Sequence, residues 1–364
     1  MKNLIILLTF SLLTSEVISQ IRVEDFYRPS DGKDMSKAIN RALEYLDEKG
    51  HGTLEFIGTQ NYFVADDCEL PRYSKSGRRI IIINGNGCKI TAADSVNVFN
   101  RIPENQKEAL NKMMSTRFVF NDLTISGGKK AINLGATYGS SINRCNFSGQ
   151  KEAAVDVQFG LNTSIFQCNS TGAWKDNFIL RTGADWGGSA NNSQSNHSVM
   201  DMCRVYARNG AHSAFMVLGS GGCVIRDAIS EGSSNIEYCI IIDRLNSSTV
   251  RLSKIENLHI EHKPTKAGIY IRFTGITTID GLFYQTAYPD YALIYAAPGT
   301  NQITLKNIPH YVGGTVFKQE KASKKPAWRL EYCHGNFSDP GNWRVLNSNG
   351  EWEVYEGMNL EVVH

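Results

Sequence analysis

Five side chains in the middle of the chain are of the types that move protons: Arg204, Tyr206, Glu231, His259 and Glu261. An imidazole titrates near neutrality and can serve as a general base. A phenol can hand a proton to a leaving oxygen, and a guanidinium can neutralise a carboxylate. Two carboxyls facing each other push one pKa upward, as a general acid requires. The five follow Cys203, Ala228 and Leu258 by one or three positions. Side chains alternate across a strand, so inward-facing anchors put all five on one outer face. Stacked as three coils, they span roughly 10 Å.

The stretch between Cys168 and Cys203 is unusually long and holds Trp174, Lys175, Asp176, Arg181, Asp185, Trp186 and His197. Long loops on a rigid scaffold make binding walls. Trp186, His197, and Arg208 and His212 in the following turn are therefore the candidate substrate-binding residues, with Trp186 placed to stack on a ring. No Cys/His metal spacing occurs. Glu231 or Glu261 together with an Asp makes Ca²⁺ a candidate cofactor, with no metal ligand set fixed.

A repeat positions these residues. Leu123, Cys145, Cys168, Cys203, Ala228, Leu258, Leu282 and Ile308 are spaced by 22, 23, 35, 25, 30, 24 and 26 residues. That is one coil of about 23 residues with two insertions, the mark of a solenoid. A second apolar strand type recurs between the anchors, as in Ala154-Val155-Asp156-Val157, Phe178-Ile179-Leu180 and Ala214-Phe215-Met216-Val217. Each coil buries its inward residues only when the next stacks upon it. The stacking predicts a buried ladder of Cys145, Cys168 and Cys203 that packs as thiols, since neighbouring ladder positions are not oriented for disulfides. One position beyond the anchors stand Thr124, Asn146, Asn169, Arg204, Ile229, His259, Phe283 and Pro309. Three beyond stand Ser126, Ser148, Thr171, Tyr206, Glu231, Glu261, Gln285 and Tyr311.

The N-terminal part reads Asp25-Phe26, Asp31-Gly32-Lys33-Asp34, Ala38-Ile39, Ala42-Leu43, then Gly52-Thr53-Leu54-Glu55-Phe56 and Tyr62-Phe63-Val64. Apolar spacing predicts a helix begun by Asp34 or Ser36 and stopped at Gly50, followed by short strands. This string, residues 25–64, resembles the opening of the pectate-lyase-like proteins. The resemblance implies an all-β fold: a right-handed parallel β-helix with an N-terminal α-helical cap. It also implies a carbohydrate-active enzyme, and a polysaccharide lyase cleaving a uronic-acid-containing glycan by β-elimination is the leading expectation. Arg204 would neutralise the uronate, His259 would take the C5 proton, Tyr206 would protonate the leaving oxygen, and Glu231 or Glu261 would orient His259. A retaining glycoside hydrolase using Glu231 and Glu261 is the alternative. An epimerase and a non-catalytic glycan-binding β-helix also fit. The Trp-x-Asp-His segment of calcium-dependent pectate lyases is absent, so the resemblance stays at superfamily level.

Composition bounds the rest. With 38 Lys plus Arg against 36 Asp plus Glu, the net charge is +2, unlike the clearly basic domains that bind nucleic acid. The expected partner is an acidic polysaccharide, and the expected assembly a monomer or homotrimer. Lys2 and the apolar run Leu4–Leu13 predict a signal peptide cut after Ser19, hence a secreted or periplasmic protein with no membrane span. The expected division is 1–19 signal peptide, 20–64 cap and first strands, 65–317 β-helix and 318–364 capping segment. In that last segment the basic run Lys321–Lys325 is the expected linker, and Trp328, Tyr332, Trp343, Trp352 and Tyr355 cover the last coil.

Overall fold

The structure, a computed structural model, describes residues 19–72, 79–188, 192–244, 252–272, 275–284, 292–308, 317–320, 327–333, 343–346, 351–354 and 360–363. The expected signal peptide before Ser19, together with Gln285, Pro309, Tyr311, Lys321–Lys325 and Tyr355, lies outside the described residues.

The early and middle coils lay two short strands on a bent sheet and one longer strand on a continuous sheet, while in later coils the bent-sheet pair runs as one strand, as in Leu252–Ile260 and Ile276–Tyr284. One coil runs Ser141–Asn143, Asn146–Ser148 and then Ala153–Leu161. The continuous sheet starts at Cys68–Glu69, passes through Lys130–Tyr138, Ala153–Leu161, Asp176–Arg181, Ala211–Leu218, Asn235–Asp243 and Lys263–Arg272, and ends at Trp343–Leu346 and Trp352–Val354. Its neighbours are parallel until Trp352–Val354, which pairs antiparallel. The fold is an all-β parallel solenoid. Pairing also runs on into the expected capping segment, where Ala327–Glu331 continues the bent sheet beside Gln302–Lys306.

A corner divides the bent-sheet segments of the coils. Asp122, Arg144, Gln167, Met202, Asp227, Asn257 and Asn307 all hold φ between 49° and 54°, each one residue before an anchor. Few non-glycine residues adopt this left-handed conformation alone. Here the stack enforces it, because the corner N–H of one coil donates to the next coil's carbonyl: Arg144 N to Phe166 O at 2.9 Å, Gln167 N to Asp201 O at 3.0 Å. Thiols serve the corner too. Cys168 Sγ donates to Ile142 O and Cys203 Sγ to Ile165 O, both at 3.4 Å. The anchors from Leu123 to Ile308 are all buried, and the column takes in Cys88 as well. Burial pushes the Cys203 thiol up to about 12, so it stays neutral. All eight cysteines are unpaired.

The helix Ser36–Lys49 buries Ala38, Ile39, Ala42, Leu43 and Leu46 in the same core and ends on left-handed Gly50. Among the described residues no helix is long and apolar enough to cross a membrane.

Candidate functional site

The register of the bent sheet aligns Arg204 with Ile229 and Tyr206 with Glu231, then Ile229 with His259. The five expected catalytic residues therefore share one outer face. Arg204 and Glu231, and likewise His259 and Glu261, lie within ion-pair distance there, though Glu231 Oε1 and His259 Nε2 are left without an aligned hydrogen bond. Arg204 Nε lies 3.1 Å from Glu231 Oε1, and Arg204 Nη1 donates to Tyr206 Oη at 3.3 Å. Tyr206 is pushed up chiefly by its hydrogen bond to Glu231. His259 Nε2 lies 2.8 Å from Glu261 Oε1 without hydrogen-bond alignment, and its ring meets Phe283 edge-on at 4.5 Å. Beneath them His262 is fully buried, with Nδ1 2.7 Å from Ser230 Oγ and Nε2 accepting from Ala207 N. Burial lowers His262 to about 4, so it is a neutral structural bridge.

The insertion does not adjoin this face. It leaves the continuous sheet after Arg181, because a strand of the second type intervenes between Cys168 and the loop. Trp186 cannot offer a ring to a sugar. It is 7% exposed and packs on Phe159, Ala109 and Met113. Gly183 and Gly188 admit it closely, since a Cβ on Gly183 would fall 1.7 Å from the ring. His197 is exposed at a left-handed corner near Gly222. Arg208 lies over the Trp174 ring at 3.7 Å, with Lys151 at 3.9 Å from the same ring.

His212 has a different setting. It stands where two cavities on the outer face of the continuous sheet adjoin, of about 340 and 310 Å³, which share His212, Met216 and Leu218. Its Nδ1 lies 2.8 Å from Asp176 Oδ1, which also accepts from Ser213 Oγ at 2.6 Å. Asp176 is buried and sits in register with Ser213 on the next coil. With the proton on Nδ1, Nε2 carries the lone pair, and Glu237 Oε2 lies 4.0 Å from it. Lys175, exposed, lies one coil away, its carbonyl accepting from His212 N at 2.7 Å.

Charge pairs build the groove floor. Asp156, 1% exposed, takes Arg181 through both oxygens at 2.7 and 2.8 Å and Lys130 Nζ at 2.7 Å. Burial raises this carboxyl, but Arg181 and Lys130 outweigh it and hold it below the usual range. Arg181 also grips Asp185 at 2.5 Å, which lowers that carboxyl. Farther along, Tyr238 and Tyr270 meet at 5.4 Å, and Tyr270 stacks on Tyr295 at 5.6 Å. Lys130, Asp156, Tyr238 and Tyr270 were not candidates in the sequence. The one signal was an Asp inside the apolar run Ala154–Val157.

Among the described residues no three His, Cys, Asp or Glu side chains converge as a metal site. Gly50-His51-Gly52 and Asp66-Asp67, motifs of the kind polygalacturonase-like hydrolases carry, do not line either cavity. Gly50 ends the helix, and Asp67 accepts from Asn97 N and Nδ2.

No protein-family model matches the chain, and no curated protein matches it. Solved structures do. A double mutant of the tailspike protein of E. coli bacteriophage HK620, in complex with pentasaccharide, is similar at 12% identity and TM-score 0.54, covering 86% of this chain and 65% of that one. A single mutant of that tailspike, also with pentasaccharide, matches at 11% and 0.52, covering 94% and 78%. This chain thus spans just under two thirds of the first tailspike chain. At such identity the likeness establishes the parallel β-solenoid alone, and the pectate-lyase-like opening stays a resemblance.

Proposed function

We propose that the protein is a glycan-cleaving enzyme acting by β-elimination at a uronate, with its proton-transfer centre at His212 on the continuous sheet. The observation that carries this reading is the Asp176–His212 pair at the junction of two cavities. A base oriented from behind by a buried carboxylate and open in front is the geometry proton abstraction needs. Lys175 neutralises the uronate carboxylate, which acidifies the C5 hydrogen. His212 Nε2 takes that proton, and its electron pair forms the C4–C5 double bond. The bond from C4 to the glycosidic oxygen breaks, and the Tyr238 hydroxyl protonates the leaving oxygen. Solvent restores the tyrosine and removes the proton from His212. Neither oxidant nor reductant is consumed.

The similar tailspikes are complexed with a pentasaccharide, which supports an oligosaccharide ligand for this solenoid. Secretion, a monomer or homotrimer, and an acidic polysaccharide partner belong to the same proposal. The test is ultraviolet absorbance of purified protein with uronate-containing polysaccharides. A rising signal from unsaturated uronate is the expected result. New reducing ends without absorbance would replace β-elimination with hydrolysis.

A further inference from the structure

The charges lining the groove restrict which uronate polymer fits, an inference that rests on the β-elimination reading. The first cavity is lined by three cations, Lys130, Lys175 and Arg181, and four carboxylates, Glu152, Asp156, Asp176 and Asp185. Lys130 and Arg181 are committed to buried Asp156, and Arg181 also to Asp185. Among the described residues, Lys175 alone of these cations has no carboxylate within ion-pair distance. The second cavity holds Asp243, bound through both oxygens to Arg272 at 2.7 and 2.8 Å; beyond the shared His212 its lining is aliphatic and aromatic, with Met216, Ile241, Tyr238 and Tyr270. Ile179, Met216, Ile241, Tyr270 and Tyr295 succeed one another in register, so this platform is one continuous outward ladder.

From Lys130 to Tyr270 the groove crosses five strand steps, about 24 Å, enough for several sugars. A homopolymer of uronate would set a carboxylate on each of them. One uncommitted cation cannot match that row, and an unpaired charge brought out of water is penalised. A sugar with an apolar face, by contrast, fits the tyrosine ladder.

We infer that the substrate is a sparsely charged heteroglycan: one uronate at Lys175 and His212, joined to an uncharged sugar whose apolar face lies on Tyr238 and Tyr270. Two probes of matched length test this by titration calorimetry: hyaluronan oligosaccharides, where uronate alternates with N-acetylhexosamine, and oligogalacturonates, where every sugar is charged. The alternating probe is expected to bind at least roughly tenfold tighter, with Tyr270→Ala removing most of that preference. Equal or tighter binding of oligogalacturonate overturns the inference, and unsaturated product from it would leave β-elimination standing. Tyrosine-dependent binding of the alternating probe without unsaturated product supports sparse-charge recognition and overturns β-elimination. Binding of neither probe overturns both.

Discussion

Two histidine–carboxylate pairs stand on different sheets of the same solenoid, and they use their atoms differently. In the groove, Asp176 takes His212 at Nδ1 from a buried position and leaves Nε2 toward the cavities. On the bent sheet, Glu261 lies against His259 at Nε2, and both side chains are one-third exposed on an outer face. The arginines differ in the same way. Arg181 is locked to buried Asp156, whereas Arg204 reaches a more exposed Glu231. On the proposed reading, residue type and clustering do not by themselves identify the reacting base. What matters is which nitrogen the carboxylate occupies and whether space remains in front of the other.

The largest expected contrast is in stability. Arg181→Ala strips Asp156 of its bidentate partner and leaves Lys130 as its one cation, so it should cost about 3 kcal/mol, the low end of the range for breaking a buried pair. Arg204→Ala removes a pair whose arginine is nearly half exposed and should cost at most about 1 kcal/mol. Chemical denaturation measures both, and equal costs would erase the distinction between the two arginines. Next comes Asp176→Asn, which keeps the side-chain shape but loses the anionic partner that orients His212. Turnover should fall roughly 10²-fold or more, while Glu261→Gln leaves it near the parent value. Glu261→Gln as damaging as Asp176→Asn would move the chemistry to the bent sheet.

A smaller effect sharpens the structural reading of the bent-sheet face. His262 is lowered from 6.5 to about 4 by burial, with Glu231 opposing and Ser230 Oγ and Ala207 N facing its ring nitrogens. The unfolded chain binds its proton first, so this contribution is complete above about pH 6.5 and fades as pH falls toward 4. The melting temperature should therefore decline across that window, and His262→Gln should flatten that part of the decline. An unchanged slope in the variant would show that His262 is not the group responsible. The smallest effect is expected for Arg208→Ala, whose guanidinium lies on Trp174 outside both cavities, with a rate change of less than about threefold.

Much of the fold was legible because the anchors obey one period. Even the alignment of Ala228 with Cys203 holds, since Arg204 pairs with Ile229. The left-handed corners were not legible, because Arg144, Gln167 and Met202 have no preference for positive φ and take it only where stacked carbonyls receive their N–H groups. The groove was hidden for a related reason. Ala153–Leu161 is buried at all but its last residue, so the alternation that marks an outer face vanishes from the sequence. His212 stood among the candidates only as a wall residue. The role proposed for it depends on Asp176, 36 positions away, which a single coil step with an insertion brings alongside. Trp186 looked available because nothing in its local sequence revealed Phe159 behind it.

The most direct test places the two histidines side by side: initial rates of unsaturated-uronate formation by His212→Ala and His259→Ala on one polymer that the parent protein cleaves, with melting temperatures recorded for both. The expected result is a loss of roughly 10²-fold or more for His212→Ala and a near-parental rate for His259→Ala, with both proteins folded. Near-parental turnover by folded His212→Ala, with activity abolished in His259→Ala, would contradict the placement of the proton-transfer centre on the continuous sheet.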